Sequence, residues 1–130
     1  MLADDPFSRW MGIDVVHVSE GHCTLQMTVR DDMLNGFGVC HGGILFSLAD
    51  SAIAFASNTR GKKALTLEDN ISFLHKAMPG DLLTATTEEL SSTRNTGVYA
   101  VTIKHEDELI AVFKGTVYRR EESHFISNSE

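Results

Sequence analysis

The chain has 130 residues, 42% apolar and 22% charged, which is the composition of one globular domain rather than of a disordered or membrane-embedded chain. Its 18 acidic side chains against 11 basic ones give a formal charge of −7, which argues against general nucleic-acid binding, since that needs a concentrated basic face. A phosphorylated ligand held by a few local cations stays compatible with this balance.

Asp5 as N-cap and Pro6 at the first helical position predict a short helix before Gly12. Acids at Asp4 and Asp5, with no basic region ahead of an apolar one, give no secretory leader, so the cytoplasm is expected. From His22 the period is two. Cys23, Leu25, Met27 and Val29 alternate with polar residues, as in a half-buried strand. Cys23 and Cys40 lack C-x-x-C spacing and are expected as reduced thiols. Asn35-Gly36 and Gly38 then signal a loop.

A helix is expected from about His41 to Asn58, and it is too diluted by small polar residues to read as a membrane span. After it, "ALTLEDNISFL" predicts a strand with Leu65, Leu67, Ile71 and Phe73 on one face and Thr66, Glu68, Asn70 and Ser72 on the other. "MPGD" is a turn, and "LLTATTEEL", "GVYAVTIK" and "LIAVFKGTVYRR" supply three further strands. Short connections between sequential strands make the sheet mostly antiparallel. An α+β fold follows, one domain over 1–130 with the sheet curled around one long helix and a polar tail at 121–130.

That helix carries one charge between His41 and Arg60, namely Asp50. Ile44, Leu45, Phe46, Leu48, Ala49, Ala52, Ile53, Phe55 and Ala56 share a broad apolar arc, whereas Gly43, Ser47, Ser51, Ala54, Ser57 and Asn58 form a small polar seam, with Asp50 at its edge. No cation lies three or four residues from Asp50. Two readings stay open: a solvated acid, or a partly desolvated carboxylate suited to activating water or attacking a carbonyl. Gly42 and Gly43 occupy the first turn, where N–H groups lack intrahelical partners. Glycine there either eases the loop into the helix or lets a ligand oxygen reach the backbone, an arrangement that polarises a carbonyl. Asp50 lies about 12 Å along the axis from Gly42. One helix cannot bring both to one carbonyl, but a two-fold dimer can.

"MLNGFGVCHGGILFSLADSAIAFAS" resembles the signature of the hot-dog-fold acyl-CoA thioesterases, in particular the PaaI type of phenylacetate degradation. "NISFLHKAMPGDLLTATTEEL" and "RNTGVYAVTI" resemble the strands that follow, so the likeness spans about 12–120. The resemblance implies a hydrolase of aryl or phenylacetyl CoA thioesters that needs no cofactor, coenzyme A being part of the substrate. Asp50 matches the catalytic carboxylate, supplied across a dimer interface as nucleophile or general base. Gly42 matches the glycine whose N–H polarises the thioester carbonyl. Asn35 and His41 match polar residues that order the site, and Thr66 falls where some relatives carry a water-orienting serine. A homodimer is then the minimal active unit and a homotetramer the expected assembly, with no nucleic acid or membrane as partner. His75-Lys76 stands where relatives often have Arg-Pro, a departure that bears on the CoA contacts. Gly43, Lys76 and the turn Arg94, Asn95, Thr96 and Gly97 are candidates for phosphate or pantetheine contact, or else ordinary solvated loop residues.

Three other readings compete. Cys40-His41 suggests a thiolate nucleophile, but adjacent turn residues diverge and no third orienting group is evident. A hot-dog hydratase or dehydratase would pair a site His with a helix acid in a Pro-Gly-rich context that "CHGGILF" lacks. A non-catalytic acyl-CoA sensor would lack the carboxylate or carry a DNA-binding segment.

Overall fold

The computed structural model describes residues 5–61 and 64–120; the polar tail expected at 121–130 lies outside them. Helix α1 (Pro6–Met11) starts on the Asp5 carboxylate, which accepts from the N–H groups of Phe7 and Ser8, and ends on left-handed Gly12. Strands β1 (Asp14–Ser19) and β2 (His22–Thr28) precede helix α2 (Gly42–Asn58), and β3 (Ala64–Phe73), β4 (Leu82–Ser92), β5 (Thr96–His105) and β6 (Glu108–Arg119) follow it. All six strands form one sheet in the order β1-β2-β4-β5-β6-β3, antiparallel throughout.

The sheet curls around α2. Leu45, Leu48, Ala49, Ala52, Ile53 and Ala56 of the helix are buried against Leu25, Leu83, Val101, Ile103 and Phe113 of the sheet. Burying a Leu, Ile or Phe side chain contributes about 1.5–3 kcal/mol each, so this interface is what makes the layer pair stable. The small seam of α2 is only partly open to water: Ser47, Asp50, Ser51 and Ala54 are half-buried and Ser57 is buried, whereas Gly43 and Asn58 at its ends are exposed. Among the described residues, no helix is long and apolar enough to cross a membrane.

One strand is added to those expected, and one expectation changes. Strand β1 has no buried side at all, so its sequence carries no alternation to read. In β3 a bulge at Leu67 breaks the count, because Thr66 pairs with Val117 while Glu68 pairs with Thr116. Residues directly opposite in an antiparallel pair share a face, and one extra residue reverses the faces. Leu65, opposite Tyr118, therefore points outward, and Leu67 is 62% exposed. The inner face of β3 carries Thr66, then Asp69, Ile71 and Phe73, opposite Val117, Gly115, Phe113 and Ala111. Leu65 and Leu67 do not share the face of Ile71 and Phe73.

Candidate active site

His41 caps α2 in an unusual way. Its ring Nδ1 accepts from the Gly43 N–H at 2.8 Å, and its carbonyl accepts from Ile44 at 3.0 Å and Leu45 at 3.4 Å. With Nδ1 accepting, the neutral ring carries its proton on Nε2. Of the four first-turn N–H groups, that of Gly42 alone has no acceptor among the described residues. It stands at the positive end of a 17-residue helix.

Gly42 opens onto a cleft of about 360 Å³ formed between the start of α2, the end of β3 and the segment after it. Asn35, Cys40, Phe73, Leu74 and Lys76 also line it. The Asn35 side-chain oxygen is committed to the N–H groups of Phe37 at 2.8 Å and Val39 at 3.3 Å, which closes the loop and leaves its NH₂ as a donor. Lys76 is exposed at the rim. A Cβ at Gly42 would come within 3.1 Å of Phe73 Cζ, so the ring covers the backbone where a side chain would otherwise sit.

Cys40 cannot serve as the nucleophile at neutral pH. Burial pushes its thiol up to about 11, and that of Cys23 likewise, the reverse of what thiolate chemistry requires. Both cysteines are free and buried.

The remaining expected residues fall elsewhere. His41 and Gly43 line a neighbouring hollow of about 300 Å³ that includes Phe7 and Trp10. The turn Arg94, Asn95, Thr96 and Gly97 lies at the opposite end of the sheet, beside the C-terminus of α2. There the carbonyls of Thr93 and Thr96 accept from buried Arg119, which also bonds Glu89 and the Tyr99 hydroxyl, and the Asn95 carbonyl accepts from the Arg119 N–H. Within one protomer this turn has a visible task, holding Arg119, and does not line the cleft.

Asp50 does not line the cleft of its own chain either. Its half-buried carboxyl meets one that the sequence reading missed, Asp69 of β3. Burial first, then the hydrogen bond and charge of Asp50, push Asp69 up to about 7. The signal was present in the sequence. Asp69 sits where the alternation of Leu65 and Leu67 required another apolar residue, and the carboxylate there marks both the bulge and the pair. Among the described residues, no group of three or more His, Cys, Asp or Glu is placed to hold a metal ion.

A six-stranded antiparallel sheet curled around one long helix is the architecture of the hot-dog fold. The sequence model of the "Thioesterase superfamily" matches residues 37–112, and the chain belongs to that family. The acyl-coenzyme A thioesterase PaaI of Escherichia coli is 40% identical over 120 residues, covering 92% of this chain and 86% of the relative. The solved structure of the E. coli PaaI protein from the phenylacetic acid degradation operon superposes with a TM-score of 0.92 at 39% identity, over 95% of this chain and 90% of that one. The protein smu.793 of Streptococcus mutans, solved bound to acetyl CoA, gives a TM-score of 0.82 at 28% identity, over 85% of this chain and 90% of its own.

Proposed function

We propose that the protein hydrolyses acyl-CoA thioesters of the aryl or phenylacetyl type to the free acid and coenzyme A, with no cofactor, in the cytoplasm. The observation that carries this reading is the Gly42 N–H, unaccepted at a helix start and opening into a cleft. A thioester carbonyl placed there gains a donor and the positive end of the helix as negative charge develops on oxygen. The Asn35 NH₂ is a second donor, and Lys76 at the rim suits a CoA phosphate. The apolar wall of Phe73 and Leu74 suits an acyl group.

Asp50 of the partner subunit supplies the carboxylate. It either attacks the carbonyl carbon, expelling CoA as thiolate and leaving an anhydride that water cleaves, or takes a proton from water that attacks. Both routes consume one water, release one thiol and need the acid ionised. Gly42 and Asp50 sit on one rigid helix about 12 Å apart, which supports a homodimer as the minimal unit. Strand β3 is a sheet edge carrying exposed Leu65 and Leu67, which supports it as the place where two copies meet; a tetramer then pairs two such dimers. Thr66, on the inner face of β3 with Asp69, is within that region and suits a water-orienting hydroxyl.

Free-thiol release from phenylacetyl-CoA, followed with a thiol reagent, tests the activity. Asp50→Asn keeps the shape and is expected to fold and assemble normally while turnover drops by orders of magnitude. Near-normal turnover in that variant refutes the assignment of Asp50, and tight binding without release by the unaltered protein favours a sensor.

A further inference from the structure

Asp69 sits opposite Gly115 on the inner face of β3, directed at α2. The missing side chain at Gly115 makes room for it, since a Cβ there would come within 2.5 Å of Asp69 Oδ1 and 2.7 Å of Ile53 Cδ1. Oδ1 is buried, and no N–H or O–H of the described residues reaches it. A buried carboxylate oxygen with no donor is costly, whereas a proton held between two carboxyls removes one charge and supplies a hydrogen bond at once.

We propose that Asp69 is a positioning residue for Asp50: at neutral pH it holds a proton and donates it to the Asp50 carboxylate, so that the pair carries one negative charge and Asp50 is held in a fixed direction. The catalytic part of this inference rests on the thioesterase reading above; the shared proton does not.

Among the described residues no other group is placed to do the task. The one titratable side chain that α2 carries is Asp50. From β6 the inward neighbours are Phe113, Gly115 and Val117, with Lys114 turned to the other face opposite Asn70. Along β3, Glu68 points outward opposite Thr116. One strand further, Tyr99 lies across from Gly115, but its hydroxyl donates to Glu89 at 2.8 Å and accepts from Arg119 at 2.6 Å. Burial, with a second acid in contact and no cation of the described residues facing it, pushes Asp69 up to about 7. Two carboxyls in contact cannot readily both ionise, so the charge of Asp50 opposes that of Asp69.

Raising the pH through that range removes the shared proton to solvent, sets two anions against each other and loses the bond that directs Asp50. The wild-type kcat on phenylacetyl-CoA is therefore expected to fall above about pH 7, approaching tenfold per pH unit as for loss of one essential proton. In Asp69→Asn an amide donates in place of the acid and does not titrate, so this alkaline limb disappears. Asp69→Ala loses the donor altogether and lowers kcat at pH 6 well below that of Asp69→Asn, with KM unmoved.

Carbon-13 NMR of aspartate-labelled protein reads the proton without any substrate. One carboxyl titrating near 7 is expected in the wild type, absent in Asp69→Asn and displaced towards the ordinary acid range in Asp50→Asn. A wild type with no carboxyl titrating above pH 6, or an Asp69→Asn variant that keeps the alkaline limb, overturns the proposal. Should no CoA ester be cleaved at all, the thioesterase reading fails, and the NMR titration still decides the shared proton.

Discussion

Two inactive variants of this protein should restore each other. Gly42→Pro removes the free N–H while keeping the helix, because proline is tolerated at the first helical position, where no intrahelical bond is lost. The preceding His41, at φ −63° and ψ 137°, already has the backbone that a following proline demands. Its control is Gly42→Ala, which meets Phe73 Cζ at the same 3.1 Å but retains the N–H. Losing one donor to a developing oxyanion costs on the order of 10²–10³ in kcat, about 2.7–4 kcal/mol, and that is the expected gap between the proline and alanine variants. Proline turnover within a few-fold of alanine would show that the carbonyl binds elsewhere.

Now the proline chain is mixed with Asp50→Asn. If each site takes its glycine from one chain and its acid from the other, a mixed dimer contains one doubly altered site and one intact site. Random pairing makes about half the dimers mixed, so about a quarter of wild-type sites return. If both groups act within one chain, no site is intact and nothing returns. The variants are co-refolded from denaturant in equal amounts, and thiol release from phenylacetyl-CoA is compared with each variant alone. The doubly altered chain mixed with wild type gives the converse: mixed dimers are dead across chains but half active within one. Failure to complement, with dimers shown to have exchanged, refutes the shared site.

Gly97→Ala is expected to destabilise by about 3 kcal/mol, because a Cβ at this buried position overlaps the Arg119 guanidinium and comes within 2.9 Å of Tyr99 Cε1. A lowered urea midpoint with unchanged slope reads this, and an unshifted midpoint shows that the cluster yields freely. Glu89→Gln addresses the same cluster by pH. The Arg60 hydrogen bond, first among its causes, lowers Glu89 from its usual 4.5. A lowered carboxyl contributes stability above about pH 4.5 that is lost as pH falls through its folded pKa, so the wild type's advantage over Glu89→Gln should be full at pH 7 and shrink in acid. An advantage that persists unchanged at pH 3 removes Glu89 as a source of acid sensitivity.

The long helix was legible because 17 residues at one period leave little room for error, and Asp50 stood out as the one charge within it. The glycine pair was legible as backbone chemistry, although only coordinates separate the two: Gly43 gives its N–H to His41, whereas Gly42 keeps its own free. Strand β1 was not legible, since an edge strand exposed on both sides has no alternation. Nor was the inner face of β3. A period-two count has no memory of an inserted residue, so the bulge at Leu67 reversed every assignment on one side of it. Arg119 was hidden for another reason: its partners Glu89, Ser92, Thr93, Thr96 and Tyr99 come from two other strands and the turn between them, and nothing adjacent in sequence announces a buried cation.

An isolated acid on an apolar helix raises a physical difficulty that the sheet resolves. Burial without a cation drives a carboxylate to take up a proton, which would disable it as nucleophile or base. A second acid in contact changes that outcome, because the pair can keep one charge while the proton rests on the less favoured member. Asp69, packed against Gly115 and with a buried oxygen that no donor of the described residues reaches, is the member better suited to hold the proton. The bulge at Leu67 brings Asp69 inward on the face of Thr66: in an unbroken register from Thr66 it would pair with Lys114 and face the opposite side of the sheet. A local irregularity in an edge strand thus accompanies the placement of the acid that meets the one charge of the central helix.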